Sequence, residues 1–185
     1  MRYTCFVRQI ALLLNIFIFS SELTFAETNI DLFLKGTQQY QDVIVEEVLS
    51  ADTIRLESGE KIKLIGLKAP PVPEKMKQIK RDQYGIPIKE KINPAATIEE
   101  KSYFFVKELL EKKHIRCEFD VNRKNEQFET LAYVFLLKNN LFVNDEILRQ
   151  GFAHLQIMPP NTKYADTLRS AYKEAREEKR GLQNE

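Results

Sequence analysis

At 185 residues with 43% apolar content, the chain has enough material for one well-filled core, and its length suits a single domain. A formal net charge of +1 excludes a strongly basic nucleic-acid coat, and two cysteines exclude a disulfide-stapled scaffold. His114 and His154 have no Cys or His at ligand spacing, so each reads as a surface or packing residue and not a zinc ligand. The first element is a leader. Arg2 and Arg8 precede an apolar run from Ile10 to Phe19, and Thr24-Phe25-Ala26 supplies small-residue cleavage chemistry. Residues 1–26 are therefore expected to be a secretory signal peptide, exporting the chain to a periplasm or out of the cell. The run, interrupted by Asn15, is shorter than the roughly 20 residues that a membrane span needs.

Cleavage there removes Cys5, leaving Cys117 with no partner for an intrachain disulfide. Losing Arg2, Arg8 and Glu22 also takes 28 basic and 27 acidic residues to 26 of each, a mature net charge of zero. Residues 27–40 form a lead-in in which Ile30 to Leu34 is amphipathic, and residues 41–182 form the folded domain. Asp42 to Leu49 reads as a first strand. Thr53 to Glu57 and Lys61 to Leu67 then alternate, with Ile54, Leu56, Ile62 and Leu64 on one face and Thr53, Arg55, Lys61 and Lys63 on the other. A Pro-containing stretch from Pro70 to Pro94 carries Lys75, Lys77, Lys80 and Arg81, which reads first as a solvated loop and second as a phosphate-gripping surface.

Thr97-Ile98-Glu99-Glu100 is a capping box, opening a helix to about Glu111 that buries Ile98, Phe105, Val106, Leu109 and Leu110 against a barrel. Strands are expected at His114 to Phe119, where Cys117 alternates with Ile115 and Phe119 as a buried apolar residue, and at Thr130 to Leu137. Asn139-Asn140 turns the chain before Leu141-Phe142-Val143. Asn144 is placed to cap a short helix from Asp145 to Gln150 that Gly151 stops. A last helix from about Lys163 to Arg180 carries Leu168, Ala171, Tyr172 and Ala175 at helical spacing, with Gly181 closing it. The expected fold is α+β: a five-stranded Greek-key barrel of the oligonucleotide/oligosaccharide-binding (OB) type, with three helices.

Several phrases sharpen that expectation. Ser50-Ala51-Asp52-Thr53, the strand pair up to Gly66-Leu67-Lys68-Ala69-Pro70, Leu131-Ala132-Tyr133-Val134, Val143-Asn144, Leu148 to Ala153, Pro160-Asn161-Thr162, Ala175-Arg176 and Gly181-Leu182 occur in a fixed order. In that order the chain resembles the staphylococcal nuclease (thermonuclease) family from about Gln41 to Leu182. The resemblance implies calcium-assisted phosphodiester hydrolysis, with carboxylates holding the ion, a base for the attacking water and two arginines on the phosphate.

Residue by residue, the resemblance also implies losses. Of the family's Asp-Gly-Asp-Thr only Asp52 and Thr53 remain, and Lys63 stands at the first arginine. The family's Asp-x-Pro-Glu is Lys68-Ala69-Pro70-Pro71, replacing a metal carboxylate by a lysine and the general base by a proline. Its Tyr-Gly-Arg falls on Gln127-Phe128-Glu129, and its nucleotide-side tyrosines fall on Gln127 and Ile157. Asp52, Thr53 and Lys63 are thus the catalytic remnants, with Asp52 the one metal candidate. Asp52 also has a plainer reading as turn chemistry, its carboxylate accepting backbone hydrogen bonds. Arg123 or Lys124 would restore a cation, and Glu126 or Glu129 a carboxylate, if their loop packs against the site.

Two functions follow as expectations. The first is a non-catalytic module without a cofactor, binding nucleic acid, another anionic polymer or a protein through Arg55, Lys61, Lys63, Lys68, Lys75, Lys77, Lys80 and Arg81. The second is a calcium-dependent endonuclease with a site rebuilt around Asp52.

Overall fold

The structure is a computed structural model that describes residues 40–73, 83–84 and 96–184. The expected signal peptide, most of the lead-in, and Lys75, Lys77, Lys80 and Arg81 lie outside the described residues. Strands β1 (Val43–Ser50), β2 (Thr53–Leu56), β3 (Lys61–Leu64) and β4 (Gly66–Lys68) come first, followed by helix α1 (Ile98–Leu110). Then come β5 (His114–Glu118), β6 (Thr130–Leu136), β7 (Leu141–Phe142), α2 (Val143–Arg149), β8 (His154–Gln156), α3 (Ala165–Glu177) and a 3-10 turn, Gly181–Asn184.

β1 pairs antiparallel with β2 and β5, β2 with β3, and β5 with β6; a parallel β3–β6 ladder closes the ring. The result is a closed five-stranded mixed barrel of the OB type with three helices, as the alternation predicts. Ile54, Leu56, Ile62 and Leu64 point into the barrel and are buried, where each contributes about 1.5–3 kcal/mol through removal from water. β6 alternates little. Nearly all of it is buried because α2 covers its outer side.

Three elements depart from the sequence reading. The predicted strand Lys61 to Leu67 breaks at Ile65, because Gly66 adopts φ 85° and redirects β4 to pair with β8. A Cβ at Gly66 would overlap the Leu168 side chain, so the bend also needs a residue without one. Asn144 does not cap a helix starting at Asp145. It lies inside α2, fully buried, where Nδ2 donates to the Ile65 carbonyl at 2.8 Å and Oδ1 accepts from Val134 N–H at 2.9 Å. The strand break leaves polar backbone inside the protein, and one amide side chain satisfies both ends of it.

The third departure is the buried face of α1. Thr97 caps it as expected, accepting from Glu100 N–H at 3.4 Å. Its buried apolar stripe, however, is Tyr103, Val106 and Leu110, with Phe105 and Leu109 only half-buried. The helix packs against both β1 and the C-terminal turn, and Ser102 on its buried side donates to the Phe152 carbonyl at 2.6 Å. Contact on two sides rotates the face away from the most apolar stripe.

α3 buries Leu168, Ala171 and Ala175 as predicted and leaves Tyr172 half-buried. Its attachment is polar as well as apolar. Glu118 at the end of β5 accepts from Lys163 Nζ at 2.7 Å, Tyr164 Oη at 2.8 Å and the Arg116 guanidinium, while Asp120 accepts from Tyr133 Oη at 3.1 Å and Lys163 N–H at 2.9 Å. Burial alone would raise the Glu118 carboxyl, but its donors, Lys163 foremost, pull it down to about 2. Tyr133, Phe135, Phe142 and Tyr164 pack ring to ring beside this network.

Candidate functional site

The β1–β2 turn places Asp52 at the mouth of the β2–β3 pair, where the residue is only 7% exposed. Four donors converge on it. Oδ1 accepts from Ser50 Oγ at 2.7 Å and Thr53 Oγ1 at 2.9 Å; Oδ2 accepts from Ala69 N–H at 3.0 Å and Lys63 Nζ at 3.3 Å. A carboxylate offers about four lone-pair directions, so this one is fully used. Burial on its own raises the Asp52 carboxyl. The Ala69 N–H, the Ser50 hydroxyl, the Lys63 charge and the Thr53 hydroxyl outweigh that cost and hold it below its ordinary value, so it is a carboxylate at neutral pH.

The turn reading of Asp52 is therefore correct in part. One backbone donor is present, yet two hydroxyls and an ammonium supply the rest, and the β2–β3 register Thr53↔Lys63 is what delivers that ammonium across the sheet.

The remaining predicted residues divide. Lys61 in β3 and Lys68 in β4 are both exposed. Arg55 is not available in the same way, because its guanidinium is paired with Glu47 of β1 at 2.9 Å. Arg123 lies over the Phe119 ring at 4.7 Å and not beside Asp52. Glu129 is turned back onto its own loop, accepting from Asn125 Nδ2 at 2.9 Å. The β5–β6 loop thus uses its Arg123 and Glu129 side chains locally.

A family model described as staphylococcal nuclease homologue matches residues 61–185, more than half of the chain. The chain belongs to the staphylococcal nuclease family. It is similar to the thermonuclease of Staphylococcus intermedius, 26% identical over 141 residues that span 73% of this chain and 71% of that protein. It is also similar to the thermonuclease of Staphylococcus hyicus, 28% identical over 101 residues, 53% of this chain and 59% of that protein.

The calcium ion that the nuclease family implies can be tested against the donors present. Calcium takes six to eight oxygens, mostly from carboxylates and carbonyls. Here the approach to Oδ2 is taken by an ammonium, and the described residues contain no group of three or more His, Cys, Asp or Glu arranged to hold a metal. Lys68, where the resemblance implies a second metal carboxylate, is exposed and cationic. This donor set does not fit a calcium ion.

Sequence reasoning missed two parts of the region. Glu60 bridges Tyr40 Oη at 2.9 Å and the Thr130 hydroxyl, tying the entering chain to β6. Burial and this carboxylate push the Tyr40 phenol up to about 12. The other is Phe128, an exposed aromatic in the β5–β6 loop, at a position where the resemblance implies glycine. Its signal was a bulky residue in a turn. Cys117, expected to be an inert apolar residue, is buried, and desolvation pushes its thiol up to about 12.

Proposed function

We infer that this chain is an exported member of the staphylococcal nuclease family that binds nucleic acid, or a polyanion like it, on the β2–β3 face without hydrolysing it. One observation carries the reading: Lys63 sits on Asp52 with both carboxylate oxygens doubly occupied. Phosphodiester hydrolysis needs a positioned cation, a base for water and donors on the crowded phosphate. By the resemblance, a metal carboxylate is here Lys68, the base is Pro71 and the two phosphate arginines are Lys63 and Glu129, and removing even one oxyanion donor typically costs about 2.7–4 kcal/mol of barrier. Lys61 and Lys68, with Lys75, Lys77, Lys80 and Arg81 following in the chain, supply positive charge suited to a phosphate backbone.

The test is incubation of single-stranded DNA and RNA with the purified chain, with calcium and with chelator, beside an Asp52→Ala control. The expected result is retention of both polymers by a folded protein, with affinity falling as salt rises. Calcium-dependent cleavage that Asp52→Ala abolishes would establish the rebuilt endonuclease instead. Export is checked separately, by N-terminal sequencing of the chain from the producing cells, with Glu27 expected first.

A further inference from the structure

We propose that Phe128 is a stacking platform for an unpaired base, making single-stranded nucleic acid the ligand of the β2–β3 face. The proposal rests on the polyanion-binding reading of that face. Phe128 is 81% exposed, the most exposed large apolar side chain among the described residues. Its backbone has φ 61°, a region that bulky side chains rarely adopt. Exposure and strain both weigh against this residue, and a glycine would hold the same turn without either.

The turn is nevertheless built to keep the ring where it is. Asn125 Oδ1 accepts from Gln127 N–H at 3.0 Å and Glu129 N–H at 2.9 Å, while its Nδ2 donates to Glu129 Oε2. Two backbone bonds close it, Phe128 N–H to the Asn125 carbonyl and Asn125 N–H to the Glu129 carbonyl, each at 3.1 Å. An exposed aromatic held on a fixed, strained turn is preorganised for a contact that the free domain does not make.

Strand register says what that contact is. β3 and β6 run parallel with Ile62↔Thr130 and Lys63↔Leu131, so the turn that precedes Thr130 lies at the Lys61 end of the cationic face. Lys124, bridged to Thr130 through the backbone, flanks the turn on its other side. Lys61 and Lys124 are exposed and pair with no described acid. An exposed ring on a turn flanked in the backbone register by Lys61 and Lys124 matches a polymer whose charged backbone and base faces are both accessible, which is a single strand. Duplex DNA stacks its base faces internally and offers phosphates and groove edges but no free base face.

The experiment measures fluorescence anisotropy with two labelled probes of equal length and charge, a 12-mer of thymidylate and an abasic 12-mer. The intact protein is expected to bind the thymidylate strand about five- to 150-fold more tightly, the range that one base–aromatic stack spans. Phe128→Gly should erase that preference, leave abasic affinity unchanged and raise the melting temperature. Phe128→Trp should retain it, and Lys61→Gln should weaken both probes alike and reduce the salt dependence. Equal binding of both probes by the intact protein, or equal losses on both in Phe128→Gly, overturns the proposal and assigns the ring to a protein partner. Failure of both probes to bind at all overturns the polyanion reading itself.

Discussion

Replacing Asp52 by Asn isolates the charge at the centre of the site while keeping its shape. The Asn amide oxygen can still accept from Ala69 N–H and Lys63, and its NH2 can donate to the Ser50 and Thr53 hydroxyls, which rotate to accept. What disappears is charge assistance, which makes such bonds roughly twice as strong as neutral ones. Spread over four bonds at a residue that is 7% exposed, the loss should be about 2 kcal/mol, which lowers Tm by about 6–8 °C in a domain of this size. The cost exceeds what the turn reading alone would give. Because the folded carboxyl is held below its ordinary value of 3.8, its contribution is present above that pH and is lost as pH falls beneath it. Denaturant unfolding of both proteins from pH 7 to pH 3 should therefore show a constant gap down to about pH 5 that closes below about pH 4. Calcium should move neither protein. A gap independent of pH, a variant as stable as the parent, or a calcium-linked rise in the parent's Tm would refute the account of Lys63 as the cation on Asp52.

Two further outcomes follow from the packing of the C-terminal region. The Glu118 carboxyl is 22% exposed and drawn from 4.5 to about 2, so it contributes at most about 3 kcal/mol above pH 4.5, lost as pH falls towards 2. Glu118→Gln should be less stable than the parent at pH 7 and converge with it near pH 2, which urea titrations across that range would check. Gly151 has φ 74° and faces the Arg180 carbonyl where a Cβ would go, and Leu182 N–H donates back to the Gly151 carbonyl at 2.9 Å. Gly151→Ala should cost more than about 2 kcal/mol, seen as a lowered denaturant midpoint, whereas Gly59→Ala, at φ 83° but with open space around it, should cost only its backbone strain of about 1 kcal/mol.

What the sequence determined by itself is the barrel and its covering. Alternation in β2 and β3, the Thr97 capping box and the helical spacing of α3 are local patterns, and each reports burial because the neighbouring strand or helix needs only an apolar side to pack on. The departures mark where a local pattern had no information. Asn144 looks like a cap in one dimension, but only the closed barrel brings Ile65 and Val134 to either side of its amide. The family resemblance likewise implied that Lys63 stands at an arginine position and that Asp52 lacks its carboxylate partners. It did not show that those two side chains meet, because Lys63 Nζ reaches Asp52 through the antiparallel register of strands joined by a turn. Arg123 and Glu129 were open candidates on sequence and were decided by tertiary contacts, a ring at Phe119 and an amide at Asn125 that stand closer than the site does. Composition fixes which groups exist, and the strand register decides which of them share an electric field.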